Sequence, residues 1–251
     1  MNRIHQIFKE SKYSTIKYKN YFSIYSKLFE KYVNKKITFV EIGILNGGSL
    51  FVWKKYFGKN AKIIGIDLNP NAKKFEKYGF KIFTGDQADP KFWKNFFKKE
   101  NNIDIILDDG GHTNKQQIIT TNSCIPNIND GGMLVIEDTH TSYQKEFNNP
   151  NKYSFINYSK KIIDDINYRF PKLGSFKNSL NNKIYSVEFF ESIVCFHLNK
   201  NLCKTNILAD NKKKSFNHKD FRYFKKEIKI FDKLFFLIKY FKKNKLVKYF
   251  N

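Results

Sequence analysis

The sequence predicts an α/β fold whose sheet is mostly parallel and ends in an antiparallel hairpin. Apolar β-rich runs alternate with helical patterns between about residues 37 and 136, which is typical of a parallel sheet covered on both faces. Acidic residues directly follow several of these runs, where an open parallel sheet forms its ligand crevice. Two later β-rich runs are separated only by Glu191 and Ser192, which indicates a hairpin.

The elements follow in order from an aromatic stripe of helical period over residues 2–36. This stripe favours an N-terminal helical extension packed on the core, and a lid over a site is the alternative. We expect strands at Ile37–Ile42, Lys62–Ile66, Lys81–Phe83, Ile103–Leu107 and Met133–Ile136. Helices are expected at Ser49–Tyr56, Ala72–Tyr78, Pro90–Lys99 and Lys115–Cys124.

The pattern changes after Thr139. We expect a polar loop at Thr141–Tyr153, followed by a helix at Phe155–Arg169. The two hairpin strands are expected at Lys183–Phe190 and Ile193–Leu198, and a polar linker at Asn199–Asn217. The Lys-rich segment Phe221–Asn251 predicts a helix docked on the domain or on a second subunit, with peripheral contact to anionic lipid as the alternative. The predicted division is a helical extension over 1–36, a main domain over 37–200 and a basic helical extension over 201–251.

The net charge of +23 does not by itself indicate a nucleic-acid-binding function. Lys occurs together with Asn, Ile, Phe and Tyr throughout, so a general compositional bias explains the charge better than a nucleic-acid interface. The three cysteines are odd in number and lack CxxC spacing, which indicates neither a disulfide framework nor a zinc site. We expect a cytoplasmic protein without a signal peptide or transmembrane segment, and the aromatic-rich termini favour a homo-oligomer.

The first strand leads into a glycine turn, with the sequence FVEIGILNGGS at Phe39–Ser49. Glycines let a backbone approach a ligand, and the free N–H groups of the next helix point towards it. The spacing of Gly43, Gly47 and Gly48 departs from the dinucleotide fingerprint, and no Walker lysine follows. Glu41 at the strand end would repel a phosphate, so it suits a cationic or hydroxyl-bearing ligand.

The next two strands also end in polar residues. Asp67 closes the second strand, about 25 residues after the glycine turn, where an acid can accept both ribose hydroxyls. Asp86 and Gln87 follow the third strand, where a carboxylate and an amide can contact an adenine edge. Each of the acids Glu41, Asp67 and Asp86 alone is more typical of a loop or a helix cap, but three acids at successive strand ends favour a ligand site.

Two further strand ends carry LDDGGH at Leu107–His112 and IEDTH at Ile136–His140. Together with EIG…NGGS, GID and GDQ in this order, they resemble class I S-adenosylmethionine-dependent methyltransferases. The resemblance extends over about Ile37–Tyr143 and is specifically to the metal-dependent sugar O-methyltransferases of macrolide tailoring and bacterial capsule biosynthesis. It implies a Rossmann-like methyltransferase sheet and an enzyme that methylates a sugar hydroxyl with S-adenosyl-L-methionine and Mg²⁺ or another divalent cation.

The resemblance also implies roles for individual residues. His112 would be the general base, Asp109 would act beside it on the cation, and Asp108 would lie beside the cofactor. His140 and Tyr143 match the family's IEDTHTSY run and are weak candidates for substrate contact. The implied cofactor-binding residues are Glu41, Gly43, Asn46, Gly47, Ser49, Asp67, Asp86, Gln87 and Asp108, and the implied metal ligands are Asp109, Glu137 and Asp138.

The chemistry of these residue types agrees with that assignment. Carboxylates are the ligands that Mg²⁺ prefers, and a sugar hydroxyl needs both a Lewis acid and a base because it does not ionise near neutral pH. His is the side chain whose ordinary pKa suits the base. We expect a small-molecule acceptor, namely a nucleotide-linked sugar or a heptose for capsular or other surface polysaccharide.

Two alternatives belong to other classes. An RNA-binding methyltransferase would use the basic tail. The sequence contains no recognisable RNA-binding module, which argues against a nucleic-acid partner. An iron-dependent hydroxylase would need two histidines and a carboxylate, which would recruit His112 and His140.

Overall fold

A seven-stranded sheet is the centre of the protein in a computed structural model that describes residues 2–147, 151–170, 180, 182–213 and 234. The strands are β1 Thr38–Ile42, β2 Lys62–Asp67, β3 Lys81–Thr84, β4 Ile103–Asp108, β5 Ile128–Ile136, β6 Ile184–Phe190 and β7 Ile193–Leu198. Their order is β3-β2-β1-β4-β5-β7-β6, and β7 runs antiparallel to its neighbours while the five strands β1 to β5 are parallel. The predicted fold class, including the antiparallel hairpin, is confirmed.

Helices cover both faces of this sheet. They are α1 Arg3–Lys9, α2 Tyr21–Phe29, α3 Gly48–Phe57, α4 Pro90–Lys99, α5 Asn114–Cys124 and α6 Phe155–Asn167. The aromatic side chains of α2 and α3 pack on one face, where Phe29 and Trp53 contact Phe39 of β1. On the other face, Trp93 of α4 and Phe155 of α6 belong to a second core. A parallel sheet buried on both faces explains why its strands are apolar throughout.

The alternation of side chains along the strands decides which face each acidic residue meets. Phe39, Leu107 and Val135 belong to the core of the α2–α3 face. Glu41 and Glu137 lie two positions after Phe39 and Val135, so they continue on that face. Asp108 follows the opposite set of β4 and therefore lies on the side of α5.

Several segments differ in detail from the predicted elements, among them β5, which begins at Ile128 and not at Met133. The N-terminal stripe forms two helices joined by a segment without helix, Ser11–Asn20. The segment predicted as a helix from Ala72 is a 3₁₀ helix, Pro70–Tyr78, whose buried Ala72 and Phe75 are three residues apart, as one face of such a helix requires. The predicted loop contains short 3₁₀ helices at Thr139–Tyr143, Lys145–Phe147 and Asn151–Tyr153.

The chain divides into two units at Ile207, and both the sheet and the candidate site belong to the first unit. The predicted domain boundaries after residues 36 and 200 stay a prediction. The predicted tail helix Phe221–Asn251 lies outside the described residues, Leu234 apart. Within the described part of the chain, no helix is long and apolar enough to cross a membrane. All three cysteines are buried free thiols.

Candidate active site

The turns after β1, β4 and β5 begin side by side at the carboxyl edge of the sheet. The backbone N–H of Asp109 donates to the Ile42 carbonyl at 2.9 Å, and the N–H of Glu137 donates to the Asp108 carbonyl at 2.9 Å. Gly43 has a φ of +80°, and an added Cβ there would lie 2.1 Å from the Asp109 carbonyl oxygen. The glycine turn and the DDGGH turn are therefore in direct backbone contact.

Asp109, His112 and Asp138 converge at this edge, and each offers one ligand atom within 4.8 Å of the others. His112 Nε2 lies 3.5 Å from Asp138 Oδ2. His112 and Asp138 both have left-handed backbones, with φ of 61° and 54°. Such backbone strain in non-glycine residues is kept where the surrounding structure imposes it, and it clusters at functional sites.

Glu137 lies beside this cluster and is only 1% exposed. The Tyr25 hydroxyl donates to its Oε1, and the Lys17 ammonium donates to its Oε2 at 2.9 Å. Of the three predicted ligands, Asp109 and Asp138 thus belong to the converging group. Glu137 lies beside that group, where two residues of the N-terminal extension hold it.

Lys17 is a buried residue of this acidic cluster that the sequence did not identify. Its ammonium lies 2.6 Å from Asp109 Oδ2 and 3.8 Å from Glu41 Oε1, and its side chain is 5% exposed. Burial lowers the pKa of Lys17, but Asp109, Glu137 and Glu41 outweigh that effect and hold the pKa above its ordinary value. Nothing in the sequence separates this lysine from the many others in the chain.

Tyr21 and Tyr25 of α2 reach the site together because they are one helical turn apart. The Tyr21 hydroxyl donates to Asp138 Oδ1 at 2.5 Å, and burial is the main cause that raises the pKa of Tyr21. The two tyrosines thus fix one oxygen each of Asp138 and Glu137. Their spacing in the aromatic stripe predicts packing, with a lid as the alternative, and does not indicate hydrogen bonds to these carboxylates.

The glycine turn holds Glu41 beneath it. The Ser49 hydroxyl donates to Glu41 Oε2 at 2.6 Å, and Trp53 Nε1 donates to Oε1 at 3.0 Å. Burial raises the pKa of Glu41 to about 7, although Lys17, Ser49 and Trp53 oppose the shift. Of the other predicted residues of this turn, Gly47 has a left-handed backbone with φ of +68° and Asn46 is exposed.

Asp67 joins the end of β2 to the same turn. Its Oδ2 accepts hydrogen bonds from the N–H groups of Ile44 and Leu45, at 3.0 Å each. Asp86 is exposed and accepts from the Ala88 N–H at 2.7 Å, as a turn residue commonly does.

Gln87 is buried behind Asp108. Its Nε2 lies 2.9 and 3.0 Å from the two Asp108 carboxylate oxygens, and its Oε1 accepts from the Gly111 N–H at 2.8 Å. Burial raises the pKa of Asp108 to about 6, and the Gln87 amide opposes that shift. Gln87 therefore stabilises the DDGGH turn, and its amide, which was predicted to contact adenine, is hydrogen-bonded within the protein.

The weak substrate candidates lie on the 3₁₀ helix directly after Asp138. His140 Nδ1 is 2.5 Å from Ser192 Oγ, and its ring meets the ring of Tyr18 edge to face at 5.8 Å. Tyr143 is 61% exposed. Tyr18, which is 58% exposed, adds a residue of the N-terminal segment to this rim.

The strand order and the site at the carboxyl edge define the fold as the Rossmann-like fold of class I S-adenosylmethionine-dependent methyltransferases. The MycE methyltransferase from the mycinamycin biosynthetic pathway, solved in complex with Mg, SAH and mycinamycin VI, has the same fold, with a TM-score of 0.73 at 21% identity over 84% of this chain and 57% of that one. A putative caffeoyl-CoA O-methyltransferase from Staphylococcus aureus aligns with a TM-score of 0.51 at 10% identity, over 79% of this chain and 93% of that one.

Within that class, the chain is similar in sequence to sugar O-methyltransferases, as its motifs had indicated. It is 27% identical over 158 residues to 8-demethyl-8-alpha-L-rhamnosyl tetracenomycin-C 2'-O-methyltransferase of Streptomyces olivaceus, which is 59% of this chain and 41% of the relative. It is 30% identical over 130 residues to mycinamicin VI 2''-O-methyltransferase of Micromonospora griseorubida, which is 49% of this chain and 32% of the relative. The chain thus spans less than half the length of these relatives. No protein-family model matches it.

Proposed function

We propose that the chain is an S-adenosylmethionine-dependent O-methyltransferase that methylates a hydroxyl of a sugar, with a divalent cation and His112 as the base. The observation that carries this proposal is the convergence of Asp109, His112 and Asp138 within 4.8 Å of one another, next to the glycine turn. The named activities of the sequence relatives, and the Mg and SAH in the MycE complex, support it.

The residues present fit a divalent cation. Carboxylate oxygens are the donors of a hard ion such as Mg²⁺, and the buried ammonium of Lys17 between Asp109 and Glu137 is itself a cation in this acidic cluster. Asp109 and Asp138, with Glu137 beside them, would hold the ion. When bound, it would supply a Lewis acid for the acceptor oxygen.

His112 is the residue that would remove the proton of the acceptor hydroxyl. Asp138 Oδ2, at 3.5 Å from Nε2, would orient the imidazole and stabilise it once it is protonated. The acceptor oxygen would form a bond to the sulfonium methyl carbon as the bond from carbon to sulfur breaks. S-adenosylhomocysteine then leaves, and the proton stays on His112.

The donor side of the reaction would use the turn after β1. Its glycines allow a close approach to the backbone, and Glu41 with Ser49 beneath them suits the cationic methionine end of the cofactor. Asp67 at the end of β2 would face the ribose, and Asp86 would lie near the adenine. Asp108 and its partner Gln87 would support the wall between the cofactor and the cation.

The hydroxylase alternative has less support from the geometry. A two-histidine, one-carboxylate iron site would need His140 together with His112 on Asp138. His140 Nδ1 lies 4.0 Å from Asp138 Oδ1 and is hydrogen-bonded to Ser192 Oγ. The cluster that does converge has two carboxylates, which suit Mg²⁺, and one histidine, which would serve as the base.

The acceptor that the relatives support is a sugar already joined to a larger molecule, because their names specify a rhamnosyl tetracenomycin and a mycinamicin. A nucleotide-linked sugar or a capsular heptose is a narrower proposal that these names do not support. The test therefore includes both acceptor classes: labelled S-adenosylmethionine, Mg²⁺, and a panel of rhamnosides, other glycosides and nucleotide sugars, with methylated products identified by mass spectrometry.

Variants of the same protein test the roles of the residues. We expect His112→Asn to lower turnover by about 10²–10⁴-fold, which is the usual contribution of a general base. Asp109→Asn should also lower turnover, because the cation loses a carboxylate ligand, and EDTA should abolish it. Asn tolerates the left-handed backbone of His112. S-adenosylhomocysteine binding, measured by calorimetry, should change little in either variant. His197→Asn, in a histidine of β7, is the matched control and should keep its activity; wild-type turnover in His112→Asn or with EDTA would contradict the mechanism.

A further inference from the structure

The N-terminal segment Ser11–Asn20 brings a buried cation into the acidic cluster. Lys17 Nζ lies 2.6 Å from Asp109 Oδ2 and 2.9 Å from Glu137 Oε2, and Glu41 is the third carboxylate within 4.0 Å. A buried ammonium is costly unless it is paired and hydrogen-bonded, and these carboxylates provide both. The oxygens that Lys17 uses belong to two of the predicted metal ligands.

The same segment lies against the glycine turn. A Cβ added at Gly48 would lie 2.1 Å from the Ser14 carbonyl oxygen, so the backbone of the segment touches the first residue of α3. The Tyr13 ring stacks on Phe51 of α3, with ring centroids 4.2 Å apart. The position of Lys17 in the acidic cluster and the cover over the glycine turn therefore depend on one stretch of backbone.

We propose that Lys17 is a tethered cation that competes with the divalent cation for Asp109 and Glu137, so that cation loading releases Ser11–Asn20 from the site. This inference rests on the proposed function, because it assumes that the cluster takes up a divalent cation. An ammonium and a divalent cation repel each other when both lie against the same pair of carboxylates. The divalent ion carries the larger charge and coordinates the carboxylate oxygens directly, so it should displace the ammonium. Release of Lys17 would also uncover the turn where the cofactor would bind.

Cation binding without cofactor or acceptor tests the competition separately from catalysis. Mn²⁺ is titrated by calorimetry into the full chain as wild type, Lys17→Met and Lys19→Met, since Lys19 is an exposed lysine of the same segment. We expect Lys17→Met to bind Mn²⁺ about tenfold more tightly, within the range of about 5- to 150-fold that is usual for coupled sites. Lys19→Met should match the wild type, and so should Lys17→Arg, which keeps the charge.

The rate of chymotrypsin cleavage at Tyr13 and Tyr18 reports how accessible the segment Ser11–Asn20 is, and this measurement needs no variant. We expect saturating Mn²⁺ to speed cleavage at these tyrosines in the wild type, while near-ultraviolet circular dichroism shows that the fold persists. If Lys17→Met fails to fold, this measurement decides alone. Cleavage that Mn²⁺ leaves unchanged or slows would overturn the release.

The outcomes separate this inference from the proposed function. Equal or weaker Mn²⁺ affinity in a folded Lys17→Met would overturn the competition and leave the methyltransferase proposal standing. Failure of wild type and variant alike to bind Mn²⁺ would overturn the competition and the cation part of the proposed function together. Methyl transfer to the acceptor panel then tests the rest of that function separately.

Discussion

Glu41 illustrates how one buried carboxylate is held at the site. It is completely buried, and it accepts hydrogen bonds from Ser49 and Trp53 while Lys17 lies 3.8 Å away. Two donors and one nearby ammonium do not replace the hydration that Glu41 loses. Its ionised form is therefore disfavoured, and the pKa of Glu41 is raised to about 7.

This shift predicts a pH dependence of stability. Because the pKa of Glu41 in the folded protein lies above its ordinary value of 4.5, the protonated form stabilises the fold, fully below about 4.5 and progressively less as the pH rises through about 7. Relative to Glu41→Gln, the wild type should lose up to about 3 kcal/mol of unfolding free energy between pH 5 and 8, at about 1.4 kcal/mol per pKa unit. Urea unfolding of both proteins measures this difference; a constant difference would show that Glu41 does not titrate there.

Lys17 marks the limit of what single residues reveal in a sequence. The carboxylates at the strand ends could be predicted, because parallel strands end at one edge and Asp109, Glu137 and Asp138 follow apolar runs. The position of Lys17 could not be predicted, because it depends on how a segment without helix reaches carboxylates about a hundred residues later in the chain. The amide of Gln87 likewise matched a nucleoside contact, but its burial behind Asp108 depends on α5 and the DDGGH turn.

At the scale of elements, the turn between β1 and α3 is the most constrained part of the site. Gly43 has a φ of +80° and no room for a side chain, since a Cβ would lie 2.1 Å from the Asp109 carbonyl oxygen. Gly79, at the end of the 3₁₀ helix Pro70–Tyr78, has a φ of +84° but nothing within 4 Å of an added Cβ. A substitution at Gly79 would therefore introduce only backbone strain, whereas one at Gly43 would also introduce a steric collision.

This contrast predicts two different costs. Gly79→Ala should lower the free energy of unfolding by about 1–2 kcal/mol, the cost of a left-handed backbone alone. Gly43→Ala should cost about 3 kcal/mol or more, because the turn must also move away from the DDGGH turn. Urea unfolding measures the free energy of unfolding of both variants. Equal costs would show that the turn after β1 and the DDGGH turn are not in rigid contact.

The elements also show where sequence patterns were sufficient. Alternation of strands and helices predicted the sheet and its hairpin, because burial on one or two faces imposes periods that the sequence records. The break between α1 and α2 was not predicted, because the aromatic stripe continues on both sides of it. The 3₁₀ helices after Asp138 lie where the sequence predicts a loop, since short 3₁₀ helices in polar segments leave no distinct period.

At the scale of the whole molecule, the net charge of +23 is the dominant electrostatic property. A charge so far from zero destabilises a compact state through self-repulsion, and salt screens that repulsion over about 10 Å at 0.1 M. The oligomeric state stays a prediction, as does the absence of a nucleic-acid partner.

Self-repulsion predicts a stability that rises with salt. We expect the midpoint of thermal unfolding to increase by about 2–4 °C when NaCl is raised from about 20 to 200 mM, as for a gain of about 1 kcal/mol. The double variant Lys94→Glu with Lys98→Glu, on the exposed face of α4, lowers the net charge by four and should show a smaller rise. Scanning calorimetry measures both proteins; a midpoint that falls with salt would mean that attractive ion pairs dominate.

The bonds from Lys17, Tyr21 and Tyr25 to the site also bear on the order of events during synthesis. Lys17 and Glu137 are 120 positions apart, and Tyr21 and Asp138 are 117 apart. A growing chain lengthens by about 5–20 residues per second, so Glu137 and Asp138 emerge several seconds or more after α2. The hydrogen bonds of α2 to the site therefore form only after β4 and β5 have emerged, whereas its aromatic packing on β1 and α3 can form earlier.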